Sequence, residues 1–349
     1  MKTSFATLSD MLNHGFDTVI DVRSPAEFAE DHVPGAINLP ALSNDQRAEI
    51  GTIFVQDTPF NARKLGAAMV ARNVADHLIG PLAEKDGGWC PLVYCWRGGQ
   101  RSGSFASILT QIGWRAGVVE GGYQTFRRLV YDALYTDELT HRIILLDGNT
   151  GTAKTEILRL LGAGGVQALD LEGLANHRGS LLGAMEGGQP SQKAFETALA
   201  SALAGFDPSR PVIIEAESSK IGARIIPPAL WTAMKAAPRI EIDAPLDARA
   251  RYLAKAYADM SANRETMISK LEILRRHRGG LVDGWRALLD GGDLEGLARA
   301  LMEDHYDPSY RASRARHGAQ VLERFTVTDL GEAGREVLAC QIAEAIAAS

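Results

Sequence analysis

The sequence predicts an α/β protein made of two parallel-sheet domains, the second with a helical C-terminal part. Three observations lead there. Short apolar runs rich in β-branched residues at 18–22, 91–94, 143–147 and 212–217 alternate with helix-like segments, the pattern of strands covered on both faces. Two of these runs feed directly into loops that open helices, Tyr94-Cys-Trp-Arg-Gly-Gly-Gln-Arg-Ser102 and Gly148-Asn-Thr-Gly-Thr-Ala-Lys-Thr155. The helix that follows Gly122 ends near 132–139, and a fresh strand begins at Ile143. The boundary is therefore placed between a domain at 1–135 and another at 136–349.

The elements follow in order. Residues 18–22 form a strand ending in Asp21-Val22-Arg23, and Ser24-Pro25 starts a helix with a cap and an N1 proline. His32-Val-Pro-Gly-Ala-Ile-Asn38 supplies a turn and a second strand, and residues 44–86 are helix-rich. Residues 91–94 are a buried strand, 102–112 its helix, and Val118-Val-Glu-Gly-Gly-Tyr123 a last strand with a tight turn. In the second domain, strands at 143–147 and 212–217 flank the lysine loop and its helix at 156–161. From Leu246 onward the chain reads as mostly helical.

Composition bounds the rest. The 349 residues are 46% hydrophobic and 23% charged, ordinary for a globular protein with two cores. Apolar stretches are interrupted well short of the ~20 residues that span a membrane, and Met1-Lys-Thr-Ser-Phe5 lacks a signal-peptide pattern. A cytoplasmic protein without membrane association is expected. Three cysteines, Cys90, Cys95 and Cys340, suggest neither a disulfide framework nor a zinc site. Cys90 reads as a small residue at a strand edge or as a resolving thiol, and Cys340 as helix packing.

The first loop should gather backbone N–H groups above Cys95, pushing its thiol toward the nucleophilic thiolate. Arg97 and Arg101, with Gly98 and Gly99 between them, suit an oxyanion. Trp96 is placed either to stack on a base or to cover the loop. Asp21, Glu27 and His32 read as loop-holding residues. The second loop, Gly148, Asn149, Thr150, Gly151, Thr152, Ala153, Lys154 and Thr155, has phosphate-loop spacing with Ala153 where glycine is usual. Thr155 is a candidate magnesium ligand, and Asp170, Glu215 and Glu217 are the acidic candidates. For polyanion binding, a net charge of −6 is unfavourable overall. Basic residues nevertheless crowd 249–278, among them Arg249, Arg264, Lys270, Arg275, Arg276 and Arg278, with Tyr252 and Tyr257 interleaved and Arg311, Arg314 and Arg316 beyond. Read as helix, the segment offers a basic face.

Asp21-Val-Arg-x-x-x-Glu27-Phe, His32-Val-Pro-Gly35-Ala-Ile-Asn38, the Cys95 loop and Glu120-Gly-Gly together resemble the rhodanese domain. In ordinary thiosulfate sulfurtransferases the arginine stands five residues after the cysteine; here Arg101 stands six after, which widens the cradle. Joined to a phosphate loop and to the strings Asp170-Leu-Glu-Gly-Leu-Ala-Asn-His177-Arg178-Gly-Ser180, Gln189-Pro-Ser-Gln-Lys193-x-Phe-Glu196, Glu217-Ser-Ser-Lys-Ile-Gly222 and His305-Tyr-Asp-Pro-Ser-Tyr310, the whole chain is similar to the tRNA 2-selenouridine synthase family. The resemblance implies a P-loop NTPase-like second domain and a transferase that converts wobble 2-thiouridine to 2-selenouridine through an S-geranylated intermediate. It implies tRNA, geranyl diphosphate and selenophosphate as substrates, no tightly bound cofactor, and magnesium as an accessory. Cys95 would carry selenium, with Arg97, Gly98, Gly99 and Arg101 holding selenophosphate. Residues 148–155 would hold the diphosphate. Trp96, Asp170, His177, Arg178, Glu217, Arg275, Arg276 and Arg278 would contact donor or tRNA, and Leu171, Leu174, Leu181 and Leu182 would offer the lipid tail an apolar slot. The competing reading is a rhodanese-type sulfurtransferase or phosphatase with a nucleotide-binding regulatory domain.

Overall fold

A computed structural model describes residues 1–180, 183–256, 264–311 and 320–348. They form two compact units, Met1–Glu138 with Pro190–Gly205, and Leu139–Gln189 with Phe206–Ser349.

The first unit holds five parallel strands, β1 (Lys2–Thr3), β2 (Thr18–Asp21), β3 (Ile37–Asn38), β4 (Pro91–Tyr94) and β5 (Gly117–Val119), in the order β1-β5-β4-β2-β3. Every residue of β4 is buried because helices cover both faces of the sheet. Ile20, Val93, Phe105, Leu109, Trp89 and Trp114 share one core. The two tryptophans meet edge to face at 5.0 Å, and each indole N–H finds an oxygen, Thr18 Oγ1 at 3.1 Å or Asp86 O at 2.6 Å. β1, too short to announce itself in sequence, pairs with β5.

The sequence division assigns the helix Gln192–Ala204 to the second domain; in the structure it packs with the first unit. Phe195, Leu199 and Leu203 are buried, Thr197 Oγ1 donates to Asp31 Oδ2 at 3.0 Å, and Glu196 pairs with Arg127 and accepts from Tyr135 Oη at 2.7 Å. Its apolar face is ordinary helix periodicity, which says nothing about which core it enters.

The second unit has five parallel strands, β6 (Ile143–Gly148), β7 (Gln167–Leu169), β8 (Val212–Glu215), β11 (Arg239–Asp243) and β12 (Val321–Thr326), in the order β12-β11-β6-β8-β7, and a small antiparallel pair, β9 (Lys220–Ile221) with β10 (Arg224–Ile225). After Leu246 the described residues are mostly helical, as expected, with one strand, β12, among them. It is an edge strand with largely exposed side chains and several charges, which hides it from an apolar-run search. β11 was likewise not foreseen, because its charged residues alternate with Ile240 and Ile242. The chain adds β7 and β8 on one side of β6 and β11 and β12 on the other, so the loop after β6 lies at a switch point where α/β sheets place ligands. Helices Leu246–Ala256, Arg264–Arg278, Leu281–Asp290 and Leu294–Leu301 supply the helical part. No helix among the described residues is long and apolar enough to cross a membrane.

Candidate functional site

Cys95 follows the central strand β4 directly, so its position is set by the most buried part of the first sheet. The Ser102 hydroxyl donates to its sulfur at 3.2 Å, and backbone N–H groups of Ser102, Arg97 and Gly99 point at it as well. Burial pushes the thiol up, but these donors outweigh it and leave the pKa below the ordinary thiol value. The loop is held in shape by the turn after β5. Gly98 has φ 63°, and a Cβ there would stand 2.5 Å from Val119 O, while Tyr123 N donates to Cys95 O at 2.8 Å. This gives Glu120-Gly-Gly its physical meaning: a backbone pressed against a backbone.

The residues around the loop divide by role. Arg97 is exposed. Arg101 donates to Glu27 Oε2 at 3.0 Å, which Arg47 also approaches at 3.1 Å. Asp21 is fully buried with Arg23, whose guanidinium lies 3.9 Å from the Tyr123 ring centre and donates to Asp31 O at 2.6 Å. His32 Nδ1 donates to Phe28 O at 2.9 Å, and its ring stacks on that of Phe28. Trp96 is half-buried with its ring 5.3 Å from that of Tyr123. The Cys90 thiol donates to Arg115 O at 3.1 Å. Cys340, expected to pack, is exposed.

In the second unit, residues 148–155 wrap the start of the helix Lys154–Ala163. Ala153 adopts the left-handed conformation, φ 60° and ψ 26°, and its methyl joins the core with Ile144 and Ile157. Ala153→Gly removes a backbone strain of about 1–2 kcal/mol and forfeits methyl packing of about 0.8 kcal/mol. The expected change in thermal denaturation is therefore small, with pyrophosphate binding retained or tightened in a calorimetric titration.

The Lys154 ammonium rests on Gly148 O at 2.7 Å and Asn149 O at 3.4 Å, and 5.6 Å from the Tyr310 ring centre. Arg249, expected on a basic face, is instead 5% exposed. It pairs with Asp307 at 2.8 Å and donates to Thr150 O at 3.1 Å, fastening the loop from behind. Gly151 is required there, because a Cβ would stand 2.9 Å from Arg249 O.

Thr155 Oγ1 donates to Glu172 Oε2 at 2.7 Å, and Glu172 N donates to Glu215 Oε1 at 2.7 Å. Glu172 lies seventeen residues beyond Thr155 in sequence, so only the fold brings it to the loop. Burial raises its pKa, helped by the charge of Asp170, and the Thr155 hydrogen bond and the Lys154 charge offset this only in part. Burial and the charge of Asp170 raise Glu215 well above the carboxylate range. The enclosed carboxyl of Glu217 is pushed up to about 8 by burial and then by the charge of Glu172. Gly179, φ 66°, brings the backbone against both Glu172 Oε1 and Glu217 Oε1, where a Cβ would collide. Asp170 is a cap, accepting from Gly173 N at 2.6 Å, and pairs with Arg159 at 3.3 Å. Among the described residues no group of three or more His, Cys, Asp or Glu could hold a metal. Thr155 and Glu172 nonetheless offer two oxygens beside the loop, enough for magnesium bound together with phosphates and water.

Lys154, Thr155, Glu172, Gly179 and Glu217 line an open cleft of about 660 Å³ that also includes His177, Arg178, Ser180, Tyr252, Tyr306 and Tyr310. Gln189 ties its wall together, donating to Ala175 O at 3.1 Å and Ile221 O at 2.9 Å. The pKa of Lys270 is lowered by burial and by the charge of Arg178, and that of His177 by burial and by Lys270, so two cations and a neutral imidazole come together. Sequence reasoning had placed Lys270 on a separate basic face.

That face is only partly realised. Arg275 pairs with Glu272 at 2.6 Å and Asp283 at 2.7 Å, Arg264 pairs with Asp290, and Arg278 donates to His305 Nδ1 at 3.3 Å. Arg276 is exposed. Tyr252 bonds Glu156. Leu171 is fully buried core. Tyr257, Arg314, Arg316, Leu181 and Leu182 lie outside the described residues.

Comparison with known proteins identifies both domains. Residues 141–279 match the family model of the tRNA 2-selenouridine synthase AAA domain, and residues 4–129 that of the rhodanese-like domain. A tRNA 2-selenouridine synthase of Aeromonas salmonicida (strain A449) is 37% identical over 254 residues, 71% of this chain and 67% of that protein. One of Alcanivorax borkumensis (strain SK2) is 31% identical over 339 residues, 87% of this chain and 91% of that protein.

Proposed function

The chain belongs to the tRNA 2-selenouridine synthase family, and we propose that it is a transferase converting wobble 2-thiouridine in tRNA to 2-selenouridine in two steps, one at each loop. Residues 148–155 hold the diphosphate of geranyl diphosphate through backbone N–H groups and Lys154. The sulfur of the base attacks the first carbon of the chain, the carbon–oxygen bond breaks, and pyrophosphate leaves as a stabilised anion. Selenophosphate then binds at the Cys95 loop, with Arg97 and Arg101 as counter-charges. The Cys95 thiolate attacks the phosphorus of selenophosphate, the phosphorus–selenium bond breaks, and the released selenide attacks C2 of the base and expels the geranylthiolate; water then cleaves the phosphocysteine to phosphate and restores the thiol. Thr155 and Glu172 would hold a magnesium ion beside the diphosphate, where it would offset charge.

The observation that carries this reading is the pairing, in one chain, of a donor-ringed thiol with a lysine loop beneath a large cleft. Mass spectrometry of wobble nucleosides from cells with and without the protein tests it. Loss of 2-selenouridine without the protein is expected, and its persistence would sink the reading. Thiocyanate production from thiosulfate and cyanide, without tRNA, would favour a plain sulfurtransferase instead.

A carboxyl titrating near 8 is mostly protonated at neutral pH and can donate a hydrogen bond to a phosphate oxygen. Above that value it is anionic and repels the ligand. Pyrophosphate affinity should therefore decline as pH rises through about 8, more steeply in the parent than in Glu217→Gln. Equal slopes in calorimetric titrations would remove Glu217 from phosphate contact.

For tRNA, each lost phosphate contact lowers the logarithmic salt slope by roughly 0.7 to 0.9. Because Arg275 and Arg278 have partners within the protein, changing Arg275, Arg276 and Arg278 together to alanine should remove nearer one contact than three. Filter binding at several salt concentrations gives the slope, and an unchanged slope places the tRNA elsewhere.

A further inference from the structure

The geometry points to an apolar slot, formed by the helices Leu246–Ala256, Arg264–Arg278 and Leu294–Leu301, as the seat of the hydrocarbon next to the diphosphate in the second unit. Leu253, Ala254, Met267, Leu294, Leu297 and Leu301 make its walls, and its volume is about 40 Å³. Thr150, Ser180, Leu253 and Tyr306 border both the slot and the large cleft, so the two are contiguous at the phosphate loop.

Leu253 belongs to a cluster with Ala250, Ala298 and Met302, and Met267, Leu297 and Leu301 to another. The slot is the seam between these clusters, left open by the small side chains of Ala254 and Ala298. At its mouth the Ser180 hydroxyl is buried with no hydrogen-bond partner among the described residues, a cost that an ester or phosphate oxygen would relieve.

A phosphate cradle opening onto an apolar seam matches one ligand class, a phosphate ester of a short hydrocarbon chain. The head is held by ionic and N–H contacts, while the tail gains by leaving water. At about 40 Å³ the slot admits only the first few carbons next to the diphosphate, and the rest of the chain would lie along the cleft. The Leu171 side chain, the sequence-based candidate for this purpose, is spent in the core.

This inference rests on the prenyl-transfer reading, and its test separates the two. Calorimetry compares inorganic pyrophosphate, dimethylallyl diphosphate and geranyl diphosphate on the full chain. In the parent, dimethylallyl and geranyl diphosphate should bind at least about tenfold more tightly than pyrophosphate, since a handful of buried carbons suffices for that ratio. Ala254→Leu, which fills the seam from a half-buried position, should bring both ratios close to one while pyrophosphate affinity stays within about twofold.

Should Ala254→Leu also lose pyrophosphate, Leu294→Ala decides the matter. It removes a half-buried wall and should change the prenyl-to-pyrophosphate ratio at least about threefold with pyrophosphate unaffected. A parent ratio near tenfold that neither variant alters would overturn the slot and leave prenyl transfer standing. A parent ratio of one would overturn both.

Discussion

Cys95→Ser abolishes 2-selenouridine formation while geranylation continues, so that S-geranylated 2-thiouridine accumulates. The substitution keeps the size of the loop and its N–H donors but replaces a thiol whose pKa lies below the ordinary value with a hydroxyl that scarcely ionises at neutral pH. Loss of the nucleophile lowers the rate by at least about a thousandfold. Liquid chromatography of nucleosides from purified protein, 2-thiouridine tRNA, geranyl diphosphate and selenophosphate reads the outcome. A normal rate of selenation by Cys95→Ser would exclude the thiol from the reaction. The same thiol should react with iodoacetamide at pH values where ordinary cysteines are slow. The rate should fall only as pH drops through its depressed pKa, and the difference from Cys95→Ser isolates it from Cys90 and Cys340.

Lys154→Ala stalls the chemistry one step earlier, at unmodified 2-thiouridine. The ammonium rests on Gly148 O and Asn149 O; a diphosphate would exchange these neutral acceptors for charged ones. Each charge-assisted hydrogen bond is worth about 1.5–3 kcal/mol, so pyrophosphate affinity should fall by at least about tenfold. Supplying tRNA already geranylated should restore selenation, because the Cys95 loop is untouched. Both variants stalling at the same nucleoside would refute the assignment of one step to each loop, and full pyrophosphate binding by Lys154→Ala would place the anion elsewhere.

Much of the first site was legible in the sequence because its hydrogen bonds are local. The donors around Cys95 come from Arg97, Gly99 and Ser102, within a few residues of the sulfur, and the turn that braces them is announced by Gly121-Gly122. The phosphate loop was legible for the same reason: Lys154 meets carbonyls only five and six residues away. Even Ala153, an exception to the usual glycine, takes the left-handed conformation that the loop demands.

What the sequence could not disclose depends on partners far apart along the chain. Arg249 reads as one more basic residue until Asp307 and Thr150 O claim it. Arg275 reads as a phosphate contact until Glu272 and Asp283 neutralise it. A charge is visible in a string of letters, but its partner is not. Local backbone chemistry thus determined the two anion loops, their order and the parallel α/β character of both units. Only tertiary packing decided that the helix Gln192–Ala204 joins the first unit, that Glu172 stands beside Thr155, and that an apolar seam opens at the lysine loop. Those choices depend on which surfaces are left to be buried once all the strands and helices have formed, and periodicity reports only that a face is apolar.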